Sequence, residues 1–266
     1  MAGLLVNADD FGLHPAVNAA IEKCMHAGSV NSVSVIANCA SPDYELLKSF
    51  RIMKVFIGVH LTWVGEPWIT EPITFFDWKA LAAHLLWGGK SFRLKMQHEA
   101  KAQIDRLIEN GITPDHIDSH QHIHHMPGIW NITMELKNNY SIPRIRTACV
   151  RHASIRRANF PGSVLNALAC SKQKEANGLF CAGIKHAGNY NYYLLANELN
   201  ACKDSDTELI VHPGTSNKSL NKLYGHWNFD WEKELTALLN PAFTDCVAGN
   251  GFSLSRKEQT MGFDCT

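Results

Sequence analysis

Four short motifs in this chain carry side chains able to move protons or hold a metal ion. They are Asn7-Ala8-Asp9-Asp10-Phe11-Gly12, Gly58-Val59-His60, the run Asp118-Ser119-His120-Gln121-His122-Ile123-His124-His125, and Val211-His212-Pro213-Gly214. Adjacent carboxylates such as Asp9 and Asp10 repel unless a positive charge separates them. A divalent cation on one of them would do so, and would leave the other ionised as a neighbouring base. Read singly, the same residues fit a solvated Asx turn completed by Gly12. His60, taken alone, fits a buried histidine bonded to a backbone carbonyl. The histidine run is the densest signal, since five of the 14 histidines fall between His116 and His125. Neutral imidazoles with one carboxylate make a mixed nitrogen and oxygen site suited to Zn2+, Mn2+ or another divalent ion. An adventitious surface tract is the alternative. His212 suits an acid facing such an ion from across a rim, or a structural histidine capping a strand.

The elements that must position these motifs follow from periodicity. The apolar or β-branched runs Leu4–Asn7, Ser32–Ile36, Val55–Val59, His116–Asp118, Arg144–Arg146 and Glu208–His212 predict strands. Helical spacing follows Pro15 through Val17, Ala20, Ile21, Cys24 and Met25 to Gly28, and recurs over 42–50, 99–110 and 127–138. Asp230 caps a further helix carrying Trp231, Leu235, Leu238 and Leu239. All four chemical motifs fall at the C-terminal end of a predicted strand, where α/β folds place their sites. Repeated βα alternation predicts a parallel sheet, open or closed into a barrel, and 266 residues suit a single (β/α) domain of ~250 residues. Two stretches resist this parsing, 61–95 and 151–190. The first holds Trp63, Trp68, Phe75, Phe76, Trp78 and Trp87. It reads as an insertion over the barrel mouth or as a subunit contact that would make a homodimer.

Composition excludes several classes. An apolar fraction of 45% with 19% charged residues is that of an ordinary folded domain. Lys+Arg and Asp+Glu balance at 25 each, so no global field favours nucleic acid or an anionic membrane. Cys24, Cys39, Cys149, Cys170, Cys181, Cys202, Cys246 and Cys265 form no Cys-x-x-Cys pair and read as reduced thiols. The N-terminus has no basic n-region, and its apolar run ends at Asp9-Asp10, so neither a signal peptide nor a membrane-spanning helix is predicted there. A cytoplasmic location is the expectation.

In this order, Asn7 to Gly12, Gly58-Val59-His60-Leu61, His116 to His124, Arg146 after a strand, and Val211-His212-Pro213-Gly214 resemble the YdjC-like carbohydrate deacetylase family, which includes chitooligosaccharide deacetylases. The resemblance spans nearly the whole chain. It implies a single-domain, distorted (β/α), TIM-like barrel over 1–266. It also implies one divalent metal ion, Mg2+ or Zn2+ with Mn2+ or Co2+ as alternates, on Asp10, His60 and His120, and hydrolysis of the N-acetyl amide of an amino sugar. Two departures stand out: His125 replaces the family's usual aliphatic residue or Met, and 151–190 matches no family signature.

On this reading Asp9 takes a proton from water and His212 returns one to the leaving amine. Arg146 holds Asp9 by a charge-assisted hydrogen bond, or contacts substrate. His122 and His124 orient the first ligand or meet substrate, and Trp63 with its aromatic neighbours offers faces to sugar rings or packs in the core. The partner is an N-acetylated sugar, whether free, oligomeric or lipid-linked. Two other classes compete. A metal-dependent phosphoesterase would hold two ions ~3.5–4 Å apart, and a non-catalytic carbohydrate-binding protein would leave Asp9 and His212 without a task.

Overall fold

In the computed structural model, which describes residues 2–39, 42–150, 166, 167 and 169–254, β1 (Ala2–Phe11) lies in the middle of one parallel sheet. The other strands are β2 (Ser32–Val35), β3 (Phe56–Leu61), β4 (His116–Ser119), β5 (Arg144–Ile145), β6 (Phe180–Ala182), β7 (Thr207–Val211) and β8 (Phe252–Leu254). They run in the order β5-β4-β3-β2-β1-β7-β6, with β8 paired to the start of β1. Parallel strands need crossovers, and helices such as Pro15–His26, Tyr44–Ile52, Gly89–Glu109 and Tyr192–Cys202 supply them. At the open edges, Cys181 N–H of β6 donates to Cys149 O beyond β5 at 2.7 Å, which curls the sheet toward closure. The result is the distorted (β/α) barrel that the sequence resemblance implies.

Strands covered on both faces read as continuous apolar runs, and β1 is buried from Leu4 to Phe11. The polar exceptions satisfy one another. Asn7, Ser32, Ser34 and Asp118 are fully buried and joined by hydrogen bonds of 2.5 to 2.8 Å. Their spacing along adjacent strands forms a polar layer that leads up to the C-terminal rim.

Two helix starts show how local chemistry fixes that rim. His14 accepts from Ala16 N–H with Pro15 in the first turn, so the Pro15–His26 helix begins three residues after the strand turn at Gly12. The Gly89–Glu109 helix lays Phe92, Met96, Ala100, Ile104 and Leu107 on the core at helical spacing. Its buried Gln103 pairs with both backbone groups of Thr62, pinning the chain just beyond His60. The sequence reading begins this helix at 99, ten residues after its observed start at Gly89. Gly88 ends the Trp78–Trp87 helix and starts the next.

One expectation needs correction. Cys149 and Cys170 form a disulfide, so the eight cysteines are not all thiols; Cys24, Cys39, Cys181, Cys202 and Cys246 are free, and Cys265 lies outside the described residues. The aromatic residues of 61–95 divide by burial. Trp63, Trp68 and Phe75 are buried in the core, whereas Phe76, Leu86 and Trp87 are more than 80% exposed. Of the 151–190 stretch, 151–165 and 168 lie outside the described residues, and the rest contains β6, whose three residues are too few to show alternation. No helix among the described residues is long and apolar enough to cross a membrane.

Candidate active site

The site begins with an irregularity in β1. Asn7 and Ala8 pair with Ser32 and Val33, but Phe11 pairs with Val35, so β1 carries one extra residue between Ala8 and Phe11. Asp10 takes up the excess with φ of 68°. A regular strand sends neighbouring side chains to opposite faces; a bulge re-aims them. Both carboxylates therefore reach the rim, buried to 3% and 1% exposure.

Asp10 faces two imidazoles. Its Oδ1 lies 3.2 Å from His120 Nδ1 and 3.4 Å from His60 Nε2, and the three ligand atoms fall within 4.8 Å of one another. His60 and Asp118 are direct partners across β3 and β4, and His60 Nδ1–H donates to Asp118 Oδ1 at 2.8 Å. This bond orients the ring with Nε2 toward Asp10, the arrangement of a metal-ligating histidine with its carboxylate support. Burial pulls His60 down, but Asp118, Asp9 and Asp10 carry it up to about 9. Burial likewise pushes Asp10 up, yet His120, His60 and His212 hold it well below the usual carboxylate range. Both shifts describe a pocket that attracts positive charge.

Asp9 belongs to a different network. Arg146, fully buried, donates from Nη1 to Asp9 Oδ2 and from Nη2 to Asp9 Oδ1, both at 2.7 Å. Nη2 also lies 2.7 Å from Asp118 Oδ2, and Nε donates to Glu208 Oε1 at 2.7 Å. Arg144 pairs with the other Glu208 oxygen. The site and its support therefore hold four buried carboxylates, Asp9, Asp10, Asp118 and Glu208, and two guanidiniums. The remaining two negative charges match one divalent cation, and the Asp10, His60 and His120 donors suit it. Asp9, His60 and Asp118, and also His116, Asp118 and Glu208, come close enough to hold an ion. Arg146 already joins the carboxylates of both groups.

The YdjC-like protein model matches residues 3–249. The chain belongs to the YdjC-like family. A carbohydrate deacetylase of Vibrio parahaemolyticus is 25% identical over 255 residues, covering 95% of this chain and 94% of that protein. One of Halalkalibacterium halodurans is 32% identical over 150 residues, or 54% of this chain, and the match spans 63% of its own length. The chitooligosaccharide deacetylase of Proteus mirabilis is 31% identical over 146 residues, 53% of this chain and 57% of that one. Among solved structures, a protein of Enterococcus faecalis V583 ascribed to cellobiose-phosphate cleavage has a TM-score of 0.76 at 20% identity, covering 97% of this chain and 98% of that one. A family 4 carbohydrate esterase of Streptomyces lividans has a TM-score of 0.51 at 10% identity, covering 96% and 91%. Both likenesses concern the fold.

In this YdjC-like chain a cavity of about 370 Å3 is lined by Asp9, Asp10, His60, His120, His122 and His212, with Gly183, Ile184, Trp227 and Phe229 among its other walls. His212 follows β7, whose Val211 pairs with Ala8, so it stands beside Asp9. Its backbone N–H donates to Glu234 at 2.6 Å, and its buried Nδ1 has no partner among the described residues.

The histidine run divides. His120 reaches the site after β4, and Gln121 and His122 turn through φ of 55° and 54°. His122 lines the cavity with Nδ1 unpartnered among the described residues, and burial holds it down at about 4. His124 is fully buried away from the cavity. Its Nε2–H donates to Arg146 O at 2.9 Å, so Nδ1 is the lone pair that accepts from Ser119 Oγ at 2.6 Å. His125 Nε2 accepts from Ala148 N–H.

One sequence expectation meets an obstacle here. Trp63 is fully buried and donates its indole N–H to Met96 O, so its ring packs the core and faces no sugar. The Arg146 guanidinium is engaged by the carboxylates of Asp9 and Glu208, the first of the two roles expected for it. Sequence reasoning assigns no role to Asp118, Glu208, Trp227 or Phe229. Glu208 did leave a signal, as the one charge within the otherwise apolar Leu209-Ile210-Val211 strand.

Proposed function

We propose that this chain is a metal-dependent hydrolase that removes the acetyl group from an N-acetylated amino sugar. The observation that carries the reading is the separation of two adjacent carboxylates. Asp10 joins His60 and His120, while Asp9 is gripped by Arg146 at the edge of the same cavity. The relatives named carbohydrate deacetylases supply the substrate class.

When bound, a divalent ion supplies Lewis-acid chemistry, polarising an acyl oxygen and lowering the pKa of water from ~15.7 toward ~7. One carboxylate and two imidazoles favour Zn2+ over Mg2+, with Mn2+ and Co2+ between them. The chain's own residues do the rest. Asp9 Oδ1 accepts from both Asn7 and Arg146, but among the described residues Oδ2 accepts only from Arg146, so a lone pair on Oδ2 is left to take a proton from water. An amide nitrogen leaves well only as an amine, so a proton must reach it. His212 lines the cavity beside Asp9 and can deliver that proton. In this scheme Arg146 acts on Asp9, His122 is the member of the run that meets substrate, and His124 fastens the loop. Trp63 contributes packing alone.

The phosphoesterase alternative asks for a second ion near the first, and such an ion would have to displace Arg146 from Asp9 and Asp118. One domain spanning the chain, and a homodimer through the exposed Phe76, Trp78, Leu86 and Trp87, complete the proposal. We assign the reaction to the cytoplasm, where the buried thiols Cys24, Cys39, Cys181 and Cys202 stay reduced; the Cys149–Cys170 disulfide argues the other way.

The test is acetate release by zinc-loaded protein from N-acetylglucosamine, chitooligomers, and nucleotide- or lipid-linked forms. Release from at least one of them is the expected result. Sugar binding with no acetate from any of them would leave the carbohydrate-binding reading in its place.

A further inference from the structure

Two of the residues lining the cavity, Trp227 and Phe229, are aromatic. After β7 the chain runs through the Lys218–Tyr224 helix into a tight turn at Gly225–Trp227, and Asn228 with φ of 55° then reverses it toward Phe229. This geometry sets the Trp227 ring 4.9 Å from the His120 ring, tilted by 37°. Trp227 is only half-buried, although it touches a candidate metal ligand. Its back is filled by Tyr224 at 4.9 Å, Phe229 at 5.6 Å and the buried Trp231 at 6.1 Å.

The ring is also held from two sides. Tyr224 OH donates to Glu66 Oε1 at 2.8 Å, joining this segment to the one after β3 across the rim. Phe229 packs so tightly on Gly188 that a Cβ there would lie 2.2 Å from its ring. An indole kept partly in water forgoes the stabilisation of full burial. A flat apolar face that is rigidly backed, solvent-facing and next to polar groups is what the C–H face of a pyranose ring packs against.

We propose that Trp227, backed by Phe229 and anchored by the Tyr224–Glu66 bond, is the stacking platform for the pyranose ring whose substituent reaches Asp10, His60 and His120. The inference rests on the deacetylase reading and adds the surface that selects a cyclic sugar over an acyclic N-acetyl compound. Tyr224 and Glu66 are positioning residues, since they act through the Trp227 ring.

Steady-state acetate release from N,N′-diacetylchitobiose tests this. Trp227→Ala should raise KM about tenfold, equivalent to ~1.4 kcal/mol, with kcat changed far less, and Trp227→Phe should recover most of the loss. Tyr224→Phe keeps its ring but loses Glu66, and should give a smaller rise in KM. An unchanged KM in Trp227→Ala overturns the platform. So does a collapse of kcat with loss of zinc from the purified variant, which would make Trp227 packing for His120. If the wild type releases no acetate from any N-acetyl sugar, the reaction assignment fails and binding decides the platform. Diacetylchitobiose should then shift the tryptophan fluorescence of the wild type but not of Trp227→Phe, and equal shifts in both overturn it.

Discussion

Asp9 and Asp10 are neighbours in sequence with different partners, and the reading of this site depends on that difference. Support for the ligands extends to residues that touch no cavity. Asp118 orients His60 through a 2.8 Å bond, so Asp118→Asn should weaken zinc binding by about 10- to 100-fold while leaving Asp9 in place. Zinc titration against a competing chelator measures this, and wild-type affinity would mean that Asp118 does not orient His60. Arg146 is the other support. Arg146→Met leaves Asp9, Asp118 and Glu208 buried without their common cation, a loss of about 3–5 kcal/mol. Urea unfolding of the variant checks it, with a midpoint close to wild type as the contrary result.

At the scale of elements, strands and a single backbone irregularity do most of the positioning. The β3–β4 register sets His60 against Asp118, and the bulge in β1 brings two consecutive carboxylates to one rim. The strand ends themselves were legible, because β-branched and apolar runs stop at Asp9, His60, Asp118 and His212. The bulge was not, since no residue type marks it and Asp10 adopts its positive φ in place of a glycine. Nor could sequence divide the histidine run, because the roles of His120, His122 and His124 depend on the left-handed turn at Gln121 and His122. Trp63 misled for a related reason: an aromatic near a strand end carries no sign of which way its ring points. Trp227 lay in a stretch of mixed polar and aromatic residues without periodicity. The register leaves a testable mark at Gly58, where a Cβ would lie 2.2 Å from the His116 ring. Gly58→Ala should therefore cost ~1–3 kcal/mol in urea unfolding and separate β3 from β4. A neutral substitution would contradict that close approach.

Across the whole molecule, the buried charge network links stability to pH. Burial first, then Arg144 near His116, Arg146 near His122 and the neighbouring His122 near His125, hold these imidazoles down at about 4, 4 and 3. Unfolded histidine titrates near 6.5, so the unfolded chain binds more protons below that pH and stability falls as pH drops toward 4. Glu208 continues the trend: burial raises it, but Arg144 and Arg146 outweigh this and hold it at about 2. Its contribution is present above 4.5 and is lost as pH falls toward 2. His60, raised to about 9, slopes the other way, losing its contribution as pH rises through that value. The urea midpoint should therefore decline steadily from pH 6.5 to 4; a flat profile would show that the histidines are not buried neutral. The same network makes the central claim testable in one preparation, because it assigns Asp10 to the ion and Asp9 to the proton. The measurement is acetate release together with zinc content in Asp9→Asn. The account predicts one ion per chain, as in wild type, with turnover reduced about 10²- to 10⁴-fold. Near-normal turnover, or loss of the ion, would contradict it.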